Sequence, residues 1–127
     1  MKTVQDLVNA AKTRIREIDQ AELAVLQARG TPLIDVREPA DFAAGHIPGA
    51  VNIPRGVLEF EVDGHPALNC VRDPALSHRD LPVVLNCRSG ARSALAAAAL
   101  KDLGFDQPLS LAGGMIGWLA AGKPVEQ

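Results

Sequence analysis

Residues 81–104 read LPVVLNCRSGARSALAAAALKDLG and carry the clearest secondary-structure signals of the chain. Pro82 has no backbone N–H and can only open a strand, while residues 83–85 are apolar without alternation, which is typical of a strand buried on both faces. The alanine-rich run that follows predicts a helix ending at Gly104. A buried strand that passes through a short turn into a helix is the building unit of a parallel α/β sheet.

The rest of the chain repeats this alternation of short apolar runs and helical segments. Strands are predicted for TPLIDV (31–36), GAVNIP (49–54) and PLSLA (108–112). Helical segments are predicted for QAELAVLQA (20–28) with Asp19 as its N-cap, for PADFAAG (39–45) and for MIGWLAAG (115–122). We therefore predict an α/β fold, a single domain in which a small, mostly parallel sheet carries helices on both faces.

The N-terminal segment is predicted to be a separate helix. Apolar residues at 4, 7, 8, 11, 15 and 18 recur at three- and four-residue steps, which predicts an amphipathic helix over about 3–17. We assign 1–17 as a helical extension, which either covers the sheet or pairs with a second copy, and 18–127 as the domain. Residues 55–80 show no clear periodicity beyond a helical turn at 57–62.

Composition limits the classes of partner. The 127 residues carry a net charge of −2 and a pI of about 5.9, so no basic surface favours nucleic acid, and no apolar run is long enough to predict a membrane span. The charged N-terminal stretch has no apolar core of the kind found in signal peptides, and we expect a cytoplasmic protein. Its two cysteines are then expected to be reduced.

Cys87 is the candidate nucleophile. It follows the strand of residues 82–86, at the carboxyl edge of the sheet where α/β proteins collect their ligands. Gly90 allows the next backbone N–H groups to form an anion-binding turn, and a helix N-terminus with Arg88 and Arg92 adds positive charge. The stabilised anion is either the thiolate or an oxyanion substrate, which fits sulfur transfer or phosphoryl transfer. The alternative is that Cys87 is a packing residue and the arginines a solvated helix start.

Three blocks of sequence in the same order resemble the single-domain rhodanese (thiosulfate sulfurtransferase) family: LIDVREPADFAAGHIPGAVNIP (33–54), CRSGARS (87–93) and LAGGMIGWLAAGKPV (111–125). The resemblance implies a parallel-sheet α/β domain without metal or organic cofactor. It also implies a cysteine that takes sulfane sulfur from a small anionic donor such as thiosulfate, becomes a persulfide and passes the sulfur to cyanide, a thiol or a sulfur-accepting protein.

The resemblance assigns a role to each residue of the loop. Cys87 is then the nucleophile, and Arg88 and Arg92 bind the donor. The backbone amides that line the loop come from Ser89, Gly90, Ala91, Arg92 and Ser93. Loss of Arg92 is expected to raise both the donor concentration required and the pKa of the cysteine.

Two other functions remain open. Phosphatases related to this fold carry C-x5-R, whereas Cys87 and Arg92 are spaced C-x4-R, with Asn86 where those enzymes often have histidine. The shorter loop suits a terminal persulfide sulfur better than a phosphoryl or arsenate group, and no evident general acid follows it. A persulfide carrier or regulatory binding module is the second alternative.

Asp35 lies at the carboxyl end of the predicted strand 31–36 and Arg37 comes directly after it, on the same edge as Cys87. They are candidates for orienting a loop arginine, or more simply for a salt bridge that stabilises the fold. His46 lies between two turns, where a hydrogen-bonded structural role is commoner than catalysis.

The irregular segment 55–80 holds His65, Cys70 and His78, whose spacing matches no common zinc pattern, so no metal is expected. If Cys70 lies near Cys87, it is a candidate for resolving the persulfide into a disulfide.

Overall fold

The computed structural model describes residues 2–62 and 79–127. In this part of the chain five parallel strands form one sheet, in the order β1-β5-β4-β2-β3. The strands are β1 (Arg16–Ile18), β2 (Leu33–Asp35), β3 (Val51–Asn52), β4 (Val83–Asn86) and β5 (Pro108–Leu111). The α-helices are α1 (Val4–Arg14), α2 (Gln20–Ala28), α3 (Pro39–Ala44), α4 (Leu58–Val62), α5 (Ala91–Asp102) and α6 (Gly114–Ala120), with a 3-10 turn at Arg55–Val57.

The core lies on both faces of the sheet. On one face, residues of β2 and β4 pack against α4 and α5, with Leu58, Ala97 and Leu100 fully buried. On the other face, Leu23 of α2 and Trp118 of α6 pack over residues of β2, β4 and β5. Strands buried on both faces explain the apolar runs without alternation. The predicted α/β architecture, with helices on both faces of a small parallel sheet, is confirmed.

The N-terminal helix is shorter than the apolar spacing predicts. α1 ends at Arg14, and residues 16–18, expected as the end of the helix and the start of the domain, form strand β1. β1 pairs in parallel with β5, where Ile18 lies beside Leu111 and is 1% exposed. Ile15 and Ile18 match a helical step by spacing alone, and β-branched side chains with a free sheet edge favour the strand.

The N-terminal helix itself is present and packs on the helix that follows Cys87. Ala11 of α1 meets Ala94 and Ala98 of α5 in a small cluster of buried alanines. The capping predicted for α2 is also present, since Asp19 and Glu22 form a capping box at its first turn. The assignment of 1–17 as an extension and 18–127 as the domain stays a prediction.

The predicted turn at 57–62 corresponds to the 3-10 turn and α4. His65, Cys70 and His78 lie outside the described residues, and so does the predicted resolving role of Cys70. Within the described ranges, no helix is both long and apolar enough to cross a bilayer. Among the same residues, no group of three or more His, Cys, Asp or Glu is arranged to hold a metal ion.

Candidate active site

Cys87 lies at the junction of β4 and α5, at the carboxyl edge of the sheet. β4 ends at Asn86, and α5 begins at Ala91 with Gly90 as its N-cap. Gly90 has a φ of 102°, in the left-handed region that glycine adopts without strain. This turn bends the backbone around the cysteine, so that the first amides of α5 point toward the sulfur.

The Cys87 sulfur accepts hydrogen bonds from the loop. The backbone N–H groups of Gly90 and Ser93 donate to Sγ over 3.1 and 3.3 Å, and the Ser93 hydroxyl lies 3.5 Å from it. Cys87 is only 1% exposed and belongs to the apolar core on its inner side. The Cys87 side chain therefore combines the burial of a packing residue with the hydrogen-bond donors of an anion site. Neither of the two roles predicted from the sequence describes it alone.

The balance of these effects favours the thiolate. Burial raises the pKa of the Cys87 thiol, but hydrogen bonds from the Ser93 hydroxyl and from the backbone N–H groups of Ser93, Gly90 and Ser89 lower it, and the net pKa lies below the ordinary value. An anion that accepts several N–H groups is stabilised more than the neutral thiol. The sulfur is thus prepared for nucleophilic attack at lower pH than a free cysteine.

We expect this ionisation to appear in the pH dependence of alkylation. In a Cys70→Ser background, the rate of reaction with iodoacetamide should rise with a midpoint below the value of ~8.5 for free cysteine. The buried sulfur slows the reagent at every pH, so the midpoint and not the absolute rate reports the thiolate. Because the folded pKa is the lower one, this ionisation stabilises the fold above the unfolded pKa, and the contribution is lost as the pH falls through the folded pKa. A midpoint at or above ~8.5 would contradict the geometry.

The two arginines do not stabilise the sulfur directly. Arg88 is exposed and Arg92 half-buried. Sγ accepts hydrogen bonds from the Gly90 and Ser93 amides and is also hydrogen-bonded to the Ser93 hydroxyl, and within residues 2–62 and 79–127 no guanidinium is among its partners. Loss of Arg92 was expected to raise the pKa of Cys87, but no hydrogen bond between the Arg92 guanidinium and Sγ supports that expectation. Among the described residues, neither guanidinium is paired with a carboxylate.

The carbonyl side of the loop is held by α6. The N–H groups of Met115 and Ile116 donate to the Cys87 and Arg88 carbonyls over 2.9 and 3.0 Å. Gly114 makes this approach possible, because a Cβ there would lie 2.5 Å from the Cys87 carbonyl oxygen and 2.7 Å from that of Arg88. With both carbonyls turned toward α6, the loop's amides are left facing the sulfur.

Gly113 and Gly114 lie between the predicted strand 108–112 and the predicted helix 115–122, and the sequence alone assigns them no part in the site. The signal was available in part, since two consecutive glycines at the start of a helix often mark a close backbone approach. The close approach supports the loop only because α6 lies beside Cys87, and no local sequence pattern predicts that placement.

Ser110 also lies behind the loop. It is fully buried in β5, and its Oγ is 2.8 Å from Ser93 Oγ. Sequence reasoning assigned it only to a strand. A hydroxyl between two leucines in a buried strand is the signal that could have singled it out, because such a group needs a hydrogen-bond partner.

Asp35 and Arg37 form a buried ion pair on the carboxyl end of β2. Arg37 donates from its backbone N–H, from Nε and from Nη2 to the Asp35 carboxylate, with Nη2 to Oδ2 at 2.7 Å. Nη2 also donates to the Gly45 carbonyl over 2.8 Å, and Asn52 donates to both backbone carbonyls of the pair. These contacts hold the turn after β2. In the described part of the chain neither side chain forms a hydrogen bond or ion pair with the Cys87 loop. A part in orienting a loop arginine stays a prediction.

His46 is held in place as a structural residue would be. Its Nδ1 lies 2.8 Å from the Phe42 carbonyl, its ring stacks on the Phe42 ring, and its backbone bridges to Glu126. It is 8% exposed and has no contact with the loop of Cys87 among these interactions.

The sequence matches the family model of the rhodanese-like domain over residues 19–121. A sulfurtransferase of Allochromatium vinosum is 34% identical over 113 residues, which are 87% of this chain and 94% of that protein. The thiosulfate sulfurtransferase of Pseudomonas entomophila is 31% identical over 106 residues, covering 84% of this chain and 86% of that protein.

Solved structures show the same similarity. A human single-domain sulfurtransferase superposes with a TM-score of 0.68 and 32% identity, over 82% of this chain and 95% of that one. A Rhodopseudomonas palustris protein of unknown function, named a possible tyrosine phosphatase, superposes with a TM-score of 0.82 and 28% identity, over 99% and 96% of the two chains. Because the family model spans most of the sequence and includes the whole Cys87 loop, this protein belongs to the rhodanese-like domain family.

Proposed function

We propose that the protein is a sulfurtransferase that carries sulfane sulfur on Cys87. The thiolate attacks the outer sulfur of a small anionic donor such as thiosulfate, a new S–S bond forms, and sulfite leaves with the electron pair of the broken bond. A thiolate or cyanide acceptor then attacks the outer sulfur of the persulfide, and Cys87 departs as a thiolate. Each step exchanges one bond to sulfur for another, so no external oxidant or reductant is required.

The observation that carries this proposal is the set of N–H groups aimed at the sulfur. Gly90 and Ser93 donate to Sγ over 3.1 and 3.3 Å, so the anion is stabilised before it attacks and again when it leaves. A cysteine that only filled the core would need none of these donors. The names of the sulfurtransferase relatives support the same reaction class.

Arg88 and Arg92 are proposed to bind the donor. Neither guanidinium is occupied by a carboxylate within the described residues, and both follow Cys87 closely in the loop. A guanidinium fork matches the oxygens of a sulfonate-like anion. With the N–H groups of Gly90 and Ser93 aimed at Sγ, thiosulfate would bind with its negative oxygens beside the two guanidiniums and its outer sulfur toward Cys87.

Arg92→Ala should therefore raise the KM for thiosulfate by roughly 10- to 100-fold, as expected for the loss of a charged hydrogen bond. The kcat and the alkylation midpoint of Cys87 should change little, because Arg92 does not contact the sulfur. Arg92→Lys keeps the charge without the fork and should give an intermediate KM. Steady-state kinetics over a range of thiosulfate concentrations measure all three.

Arg29→Ala is the matched control, because it removes the same charge at a position remote from the Cys87 loop in the fold. Arg29 is exposed at the end of α2, before β2 begins. Its KM should equal that of the wild type. An unchanged KM in Arg92→Ala, or an equal rise in both variants, would remove Arg92 from donor binding.

Phosphoryl transfer is the second candidate, favoured by the name of the Rhodopseudomonas palustris neighbour. The C-x4-R spacing is one residue shorter than the C-x5-R of phosphatases, and no carboxylate lies between Cys87 and Asp102 to protonate an alkoxide leaving group. Sulfite needs no such acid. We therefore favour sulfur over phosphorus.

Three donors assayed in parallel test the proposal and its alternatives. Thiosulfate with cyanide reports the proposed activity, a small-molecule persulfide reports a carrier that accepts sulfur in another form, and an aryl phosphate reports a phosphatase. We expect turnover with thiosulfate and none with the phosphate. Turnover with the persulfide alone would make the protein a carrier with another donor, and turnover with neither sulfur compound would overturn the proposal.

A further inference from the structure

Ser110 is a polar residue in an otherwise apolar place. It lies in β5 between Leu109 and Leu111 and is fully buried. Its neighbours in sequence face the opposite side of the sheet, toward α2 and α6, so Ser110 faces the side of α5 and Cys87. A buried hydroxyl is costly unless it is hydrogen-bonded, and the partner here is Ser93, with 2.8 Å between the two Oγ atoms.

Ser93 connects that hydroxyl to the sulfur. It is also fully buried, in the first turn of α5, and its Oγ lies 3.5 Å from Cys87 Sγ while its backbone N–H donates to the same sulfur. Ser110, Ser93 and Cys87 thus form a continuous chain of three side chains, closed off from solvent.

The direction of this chain depends on the state of the sulfur. A thiol donates its proton to Ser93 Oγ, and Ser93 then donates to Ser110. A thiolate only accepts, so the Ser93 proton turns toward Sγ, and Ser110 donates to the lone pair that Ser93 leaves open. The reversal needs only two hydroxyl rotations, with every heavy atom in place.

We propose that Ser110 is a positioning residue, whose hydroxyl holds Ser93 so that the Ser93 proton faces Cys87 Sγ whenever the sulfur is anionic. The inference rests on the proposed function, since it assigns Ser110 a part in the same sulfur chemistry. When the acceptor attacks the outer sulfur, the S–S bond to Sγ breaks and Sγ keeps the electron pair. The Ser93 proton, polarised by the bond from Ser110, then stabilises the departing thiolate.

The test measures the ionisation of Cys87 without any sulfur donor. In a Cys70→Ser background, the pH midpoint of alkylation by iodoacetamide is recorded for wild type, Ser110→Ala, Ser93→Ala and the double variant. We expect Ser110→Ala to raise the midpoint by about 0.5 and the rate near neutral pH to fall about threefold, as for the loss of one cooperative hydrogen bond. In the Ser93→Ala background the same substitution should have no further effect.

The pair Ser110→Thr and Ser110→Val separates the hydroxyl from packing. The two side chains have the same shape, so any crowding of the buried site is shared and only the hydroxyl differs. Threonine should keep the wild-type midpoint, and valine should give that of alanine. This comparison also stands if the alanine variant does not fold.

Equal midpoints for threonine and valine, or the same shift in the Ser93→Ala background, would overturn the proposal. Because alkylation uses no sulfur donor, the result is independent of the proposed function. If the Ser110 variants shift the alkylation midpoint but the wild type never turns over thiosulfate, only the sulfurtransferase assignment is wrong. If the wild type turns over thiosulfate but the Ser110 variants do not shift the midpoint, only the role of Ser110 is wrong.

Discussion

The Cys87→Ser protein is expected to fold normally and to transfer no sulfur. Serine occupies nearly the same space, and its oxygen can accept the N–H groups of Gly90 and Ser93 that now meet the sulfur. It is not ionised near neutral pH and cannot hold a sulfane sulfur, so the loss is chemical. Turnover should fall to the level without enzyme, whereas the thermal midpoint should stay close to that of the wild type.

The control for this variant is Cys70→Ser, which removes the other thiol of the chain. It should keep turnover, because Cys87 alone is proposed to carry the transferred sulfur. Activity of Cys87→Ser within about tenfold of the wild type, a difference of only ~1.4 kcal/mol in activation free energy, would contradict the assignment.

Gly114→Ala should have the next largest effect. Its Cβ would lie 2.5 Å from the Cys87 carbonyl oxygen and 2.8 Å from the Arg88 carbonyl carbon, and both are backbone atoms that cannot swing aside. Its φ of 51° adds the cost of left-handed backbone. We expect a loss of roughly 2 to 5 kcal/mol in the free energy of unfolding from crowding and strain together. The displaced loop should also raise the alkylation midpoint of Cys87.

Alanine substitutions at two other glycines separate the effect of crowding from that of backbone strain. Gly122 has a φ of 69° with nothing within 4 Å of its Cβ position, so Gly122→Ala measures backbone strain alone. Gly117 is helical, and its Cβ would meet only the flexible end of Gln20 at 3.6 Å, so Gly117→Ala tests a methyl group elsewhere on α6. Neither should move the alkylation midpoint. If Gly114→Ala behaved like Gly122→Ala in both stability and midpoint, α6 would not be holding the loop.

The elements that sequence predicted best are those whose signals are local. β4 and α5 follow from an opening proline, an apolar run and an alanine-rich segment closed by Gly104, and the N-cap of α2 follows from Asp19. β1 was missed because its three residues continue a helical spacing, and only its pairing with β5 makes it a strand. That pairing joins Arg16 to Leu109, a contact that no short window contains.

The residues of the site also fall into those that local sequence predicts and those that only tertiary contacts bring together. Cys87 and the amides around it were predicted because strand, turn and helix are consecutive in the chain. Ser110 and Gly114 were not, since they reach the loop only through the sheet, in which Leu85 pairs with Ser110, and through the contact of α6 with the loop carbonyls. The arginines were given too large a part in ionising the sulfur, because spacing along the chain does not say where a long, solvated side chain ends.

The proposed reaction requires that the amides of the loop keep Cys87 ionised and able to hold an extra sulfur. The most direct measurement is the intact mass of the protein after incubation with thiosulfate in the absence of an acceptor, followed by assignment of the modified peptide. We expect the gain of one sulfur atom on Cys87, which cyanide or a thiol then removes. An unchanged mass, with the Cys87 thiol still unreacted, would contradict it.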